Sequence, residues 1–200
     1  MAEAAPQRAA WRVVLALGVT QIVSWGSIYY AFSLLIDPLA LAVAADKPTV
    51  VGAFSVALLV AGLASAPVGL MIDRHGGRWV MAGGSLLAGA CLAALAQVQS
   101  VTGLYGLFVG LGLGMAATLY DPAFAVLGQV FRERQRQAIT ALTLFGGFAS
   151  TVFWPLTQML IDGRGWRDAL LVLALLNLCM CVPLHLFVLP RRATGASGPA

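Results

Sequence analysis

The spacing of charge limits this chain's fold more than any other feature. Between Val13 and Leu189 the charged residues collect in short clusters, and the stretches between clusters are long and apolar. Six such runs can be read, at about 13–36, 49–72, 79–96, 103–131, 138–161 and 169–189. Crossing a bilayer takes about 20 apolar residues per helix, with a range of about 17–25, and each run is of that order. Sixty per cent of the 200 residues are hydrophobic and 10% are charged, whereas soluble domains carry about 25% charged residues. The sequence therefore predicts an all-α membrane protein with six transmembrane helices.

This reading divides the chain into a short lead (1–12), a six-helix bundle (13–189) and a small, polar, flexible linker (190–200). The first run is expected to end at Asp37-Pro38, because proline disfavours helix in the residue before it. Ala42-Val43-Ala44 has the form of a signal-peptidase site, but the run before it is too long for the h-region of a cleavable leader. Cys91, Cys179 and Cys181 lie inside apolar runs without a C-x-x-C, so they read as small buried hydrophobes. The net charge of +4 reflects topology, with no soluble region left to form a nucleic-acid-binding domain. Arg8, Arg12, Arg74, Arg78, Arg132, Arg134, Arg136, Arg191 and Arg192 fall on one set of alternate loops, and Lys47, Arg164 and Arg167 on the other. The positive-inside rule then puts both termini in the cytoplasm, in a cell membrane read as a bacterial inner membrane.

Polar side chains inside spans are costly and so are candidates for a wet path. Gln21, Trp25 and Tyr29 recur every four residues, with Tyr30 adjacent, and Ser150, Trp154 and Gln158 repeat the spacing around Pro155, where a kink is expected. Asn177, Cys181 and His185 form a third stripe. Gly106, Gly110 and Gly114, with Gly112 beside them, predict close helix packing, and Gly62, Ala66 and Gly69 form a weaker version. Asp121 stands out. It lies eleven residues before Arg132, hence about 15 Å deep at about 1.5 Å per residue. With Pro122 breaking the ladder behind it, Asp121 is either a proton or cation site on a water-filled path or a buried partner at the proline break.

The turn Gly69-Leu70-Met71-Ile72-Asp73-Arg74-His75-Gly76-Gly77-Arg78 has the pattern G-x-x-x-D-R-x-G-x-R, with Gly76 and Gly77 expected to supply φ > 0 for the reversal. It resembles the loop between helices 2 and 3 of the major facilitator superfamily. Gly110-x-Gly112-x-Gly114, Tyr120-Asp121-Pro122, Val130-Phe131 before the arginines, Ala138, Gly146-Gly147 and Gly165-Trp166-Arg167 are similar to the monocarboxylate-porter and oxalate/formate-like branch. The resemblance covers nearly the whole chain. It implies half of a twelve-helix fold, built as two three-helix repeats, that moves a small organic solute, an organic anion among the candidates, by alternating access. Proton coupling is one option, which Asp121 would carry. Gly69, Asp73, Arg74, Gly76 and Arg78 would form the cytoplasmic gate. Gln21, Trp25, Tyr29, Tyr120, Asp121, Trp154 and Gln158 would line the solute or ion path. Helices 3 and 6 would be scaffold or lipid-facing, which demotes Asn177 and His185.

The sequence also departs from that pattern. Gly106 stands where many members carry arginine, Gln129 where an acid is common, and Pro155 alone represents the antiporter proline-glycine signature. No Lys or Arg lies between Val13 and Ile36 to hold an anion, as a lysine does in animal monocarboxylate carriers. The chain would be completed by a missing C-terminal half or a second copy, in contact with lipid and solute and without a cofactor or metal. A non-transporting scaffold, or a half-size subunit active only as a dimer, is the alternative. No H-E-x-x-H, paired carboxylates or Ser/His/Asp set points to an enzyme.

Overall fold

In the computed structural model the apolar runs become six helical spans, α1 (Ala10–Ala42), α2 (Lys47–His75), α3 (Gly77–Leu95), α4 (Val101–Val130), α5 (Gln135–Arg164) and α6 (Trp166–Val188). The structure describes residues 4–131 and 133–190, with side chains from Ala10 onward, and no strand occurs among them. The side chain of Arg8, together with Arg132, Arg191, Arg192 and the expected linker, lies outside the described residues.

Packing makes α1 the hub. In its most apolar stretch 67% of residues are buried, against 11% in α2 and 22% in α5. At one end of the bundle Trp11 meets Phe131 with ring centroids 5.8 Å apart, and Gln129 reaches Asp73. At the other end Lys47 pairs with Asp37 at 2.6 Å, near a shallow groove lined by Asp37, Pro38, Leu41, Ala42, Trp166 and Arg167. The lead, the α2–α3 turn and the α4–α5 turn thus share one end, and the α1–α2 and α5–α6 turns the other.

The repeat shows in two turns with the same backbone. Gly76 has φ 81° and ψ 157°, and its N–H donates to the Ile72 carbonyl at 2.8 Å. Gly165 has φ 85° and ψ 161°, and its N–H donates to the Ile161 carbonyl at 2.8 Å. An aspartate, Asp73 or Asp162, comes directly after each of these isoleucines. This backbone region is essentially restricted to glycine, so each turn fixes its residue. Gly77, by contrast, does not take positive φ. It is small because a Cβ there would overlap Val126.

Helix ends obey local chemistry. Asp46 caps α2 by accepting from the Thr49 hydroxyl and backbone N–H, with Pro48 in the first turn where no N–H is needed. Those bonds, the hydroxyl's first, hold the Asp46 carboxyl below the usual carboxylate range. The first span does not stop at Asp37-Pro38. It runs to Ala42 with Pro38 inside, because Leu35 and Leu39 on the same stretch are fully packed and a proline removes only one bond from the ladder. Two spans carry π-helical turns, Trp25–Tyr30 in α1 and Asn177–Cys181 in α6, which shift side-chain register and mark functional or strained segments elsewhere. Two spans are interrupted. The first segment of α4 ends at Thr118 and the second starts at Tyr120, with Pro122 in its first turn. In α5 the interruption falls at Phe148 rather than at Pro155, which stays inside the helix. Cys91 and Cys181 are buried, but Cys179 is exposed on the outer face of α6, so only two of the three cysteines are core residues.

Candidate functional site

The π turn of α1 and the break in α4 bring four aromatic side chains together. Trp25 lies 5.2 Å from Tyr29, 6.3 Å from Tyr30 and 5.1 Å from Tyr120, ring centroid to centroid. Tyr29 continues the cluster to Phe54 of α2 at 5.5 Å, and Tyr120 stacks on Phe124 at 5.2 Å. All four are half-buried. The Trp25 ring N–H is buried without a partner among the described residues, while the Tyr120 hydroxyl donates to the Thr143 carbonyl at 3.4 Å. Gly146 makes room for that hydroxyl, since a Cβ there would overlap it.

Asp121 sits next to Tyr120 in the first turn of the second α4 segment, where the helix dipole favours a carboxylate. It is exposed and has no ion-pair or hydrogen-bond partner among the described residues. Of the two readings left open by the sequence, the buried structural partner is not what this position shows. Trp154 and Gln158 are also exposed. Their helix borders the π turn through Phe153, which fills the space left by Gly26, and Gln158 donates to Asp162 at 2.8 Å. Neither makes a ring or hydrogen-bond contact with the aromatic cluster.

Gln21 is placed differently from its stripe-mates. It is fully buried, and its amide nitrogen donates to the carbonyls of Thr118 at 2.7 Å and Leu119 at 3.2 Å. It faces the α4 break, as Trp25 one turn further on does through Tyr120. Its contacts are to the backbone of α4.

At the α2–α3 turn, the Gln129 amide donates to Asp73 and to the Ile72 carbonyl, both at 3.5 Å. A neutral amide thus stands where the family pattern leads us to expect an acid. Arg78 lies over the Trp79 ring, 5.7 Å from its centroid. Arg74 is exposed at the end of α2 and Gly69 half-buried, and a Cβ at Gly69 would meet nothing within 4 Å among the described residues.

Three further residues, two of which the resemblance demotes, are buried where α1 meets α6. Asn177 donates to Ser27 at 2.8 Å, Cys181 lies 4.0 Å from Ser24, and His185 lies 3.1 Å from both Thr20 and Ser85 of α3. Asn177 and His185 face this interface and not lipid. Thr20, Ser24 and Ser27, at i, i+4 and i+7 on α1, are the sequence signal for it, unreadable until a facing stripe is paired with them. Among the described residues no group of His, Cys, Asp and Glu could hold a metal.

The sequence model of the Major Facilitator Superfamily matches residues 14–200. The chain belongs to the major facilitator superfamily. It is 35% identical to monocarboxylate transporter 12 of Homo sapiens over 123 residues, covering 58% of this chain and 23% of that protein. It is 30% identical to monocarboxylate transporter 4 of Rattus norvegicus over 135 residues, covering 65% of this chain and 28% of that protein. The chain thus spans about a quarter of the length of the relatives it matches. As a multi-pass member of the superfamily it provides six spans in two three-helix repeats.

Proposed function

We propose that this superfamily chain is the N-terminal half of a secondary active transporter that moves a small organic solute by alternating access. The narrower reading is an organic anion moved with a proton. One observation carries the proposal: Trp25, Tyr29, Tyr30 and Tyr120 gather into a half-buried aromatic cluster at the α4 break, where the exposed Asp121 follows Tyr120 in the chain. Aromatic faces receive the apolar part of a solute, and polar tips orient it. An ionisable residue in a span marks a solute or proton path by default. Membership of the superfamily and similarity to monocarboxylate transporters support transport over catalysis.

No basic residue sits between Val13 and Ile36 of α1, so a solute anion's counter-charge would come from the completing half or a second copy. Gly62 and Gly106, where a Cβ would meet nothing within 4 Å among the described residues, support close approach of helices from that partner. Trp154 and Gln158 complete the proposed path from α5, and Asp73, Arg74 and Arg78, flanked by Gly69 and Gly76, the proposed cytoplasmic gate. Gln21 bounds the path without facing it.

In the intact transporter reconstituted in vesicles, Asp121→Asn is expected to insert normally and to lose the stimulation of uptake by an inward proton gradient. Unchanged stimulation would remove Asp121 from coupling. We propose a cell-membrane location, in the narrower reading a bacterial inner membrane, with both ends cytoplasmic. Cysteines introduced at Arg78 and Arg164 should then react with impermeant reagents from opposite sides. Reaction from one side alone would sink the topology and the carrier reading together.

A further inference from the structure

We infer that Gln21 is a positioning residue, whose amide holds the α4 break open and so sets where Tyr120 and Asp121 stand. In an uninterrupted helix the Thr118 carbonyl would accept from the residue four places on, but that residue is Pro122, which has no N–H. The neighbouring Leu119 carbonyl is only weakly served, by the Ala123 N–H at 3.4 Å. Local rescue is blocked, because the Thr118 hydroxyl is turned back to the Gly114 carbonyl at 2.7 Å. The fully buried Gln21 side chain supplies the donors instead, 97 residues away in sequence, at 2.7 Å to Thr118 and 3.2 Å to Leu119. Its own oxygen has no partner among the described residues.

This matters because the break is where the backbone changes direction. Leu119 has φ −77° and ψ −153°, and the next two residues are Tyr120, packed on Trp25, and Asp121. Irregular backbone at membrane depth persists only where protein or water satisfies its polar groups. Gln21 satisfies it with protein from α1, the helix that also carries the rest of the aromatic cluster. Breaking this link frees the α4 segment relative to that cluster.

The test is hydrogen exchange of the intact protein, measured along α4. Gln21→Met keeps the side-chain length and removes the donors. Exchange is expected to rise about tenfold or more over residues 119–125 while α2 and α3 stay protected, since local opening has its own equilibrium. Gln21→Glu, whose protonated acid keeps one donor, should fall between. Pro122→Ala restores the missing N–H, so Gln21→Met combined with Pro122→Ala should regain protection, a coupling that simple loss of packing would not produce. Unchanged exchange in Gln21→Met, or a double variant as labile as the single one, overturns the inference. The effect on transport rests on the function proposed above. Faster exchange at the break with unaltered solute KM and pH profile would uphold the positioning role and count against Tyr120 and Asp121 lining the path.

Discussion

Replacing Gly112 with valine is expected to abolish recovery of folded protein. A Cβ at this position would overlap the carbonyl oxygen of Ala57 and stand 3.1 Å from its carbonyl carbon and 3.0 Å from the Cβ of Val60. The obstacle is α2 backbone, which cannot rotate aside as a side-chain tip does, so α2 and α4 must separate. Overpacking a tight interior costs about 1–3 kcal/mol and occasionally more. Separation would also disturb Phe54, which stacks on Phe32 at 4.1 Å and supports Tyr29. Gly83→Val, at a position where a Cβ would meet nothing within 4 Å among the described residues, is the matched comparison and should fold. Thermal unfolding in detergent, with yield of monodisperse protein, checks both. Equal stability of the two variants would show that the α2–α4 approach is looser than described.

The second large effect is expected from His185→Ala. The ring is fully buried and links three helices through Thr20 of α1 and Ser85 of α3, each at 3.1 Å. Thr20 donates its own proton to the Leu17 carbonyl, so it accepts from the ring Nε2–H, and Ser85 then donates to Nδ1. Truncation leaves a cavity and removes both links. Losses of about 2–5 kcal/mol accompany comparable truncations in cores, although hydrogen bonds between membrane helices average nearer about 0.6 kcal/mol. The cavity therefore dominates the expected loss. His75→Ala, on the exposed end of α2, should leave the unfolding temperature unchanged. An equal, small shift for both variants would remove the three-helix link as a source of stability.

Both positions show what a single sequence can and cannot reveal. The glycine pattern of α4 is legible as a packing signal, and three of its four members pack closely, all but Gly106. Gly110 and Gly114 do approach α3, at Cys91 and Ala88, while Gly106 faces open space and Gly112, beside the stripe in sequence, makes the closest approach to a neighbouring backbone. Four-residue spacing identifies a face but not the helix opposite it. The same limit explains the α6 stripe. Asn177, Cys181 and His185 share a face as expected, yet their role depends on Thr20, Ser24, Ser27 and Ser85, which come from elsewhere in the chain.

The aromatic cluster is partly legible. Trp25, Tyr29 and Tyr120 stand out because polar tips on apolar spans need a reason, and the fold gathers them. Periodicity groups Gln21 with them, and it does meet the same α4 break, but fully buried and against backbone. Trp154 and Gln158 lie on an exposed face, as their spacing implies, but nothing among the described residues brings them into contact with the cluster.

The sequence alone determined the number of spans and the concentration of arginine on one set of alternate turns, because hydrocarbon penalises charge and unpaired backbone wherever they occur. Of Gly76 and Gly77, both expected to take φ > 0, only Gly76 does. Only the tertiary structure decided which side chain answers the carbonyls freed at the α4 break, which glycine meets backbone and which polar stripe faces another. Those outcomes depend on distances between residues up to 165 positions apart. No local pattern encodes them.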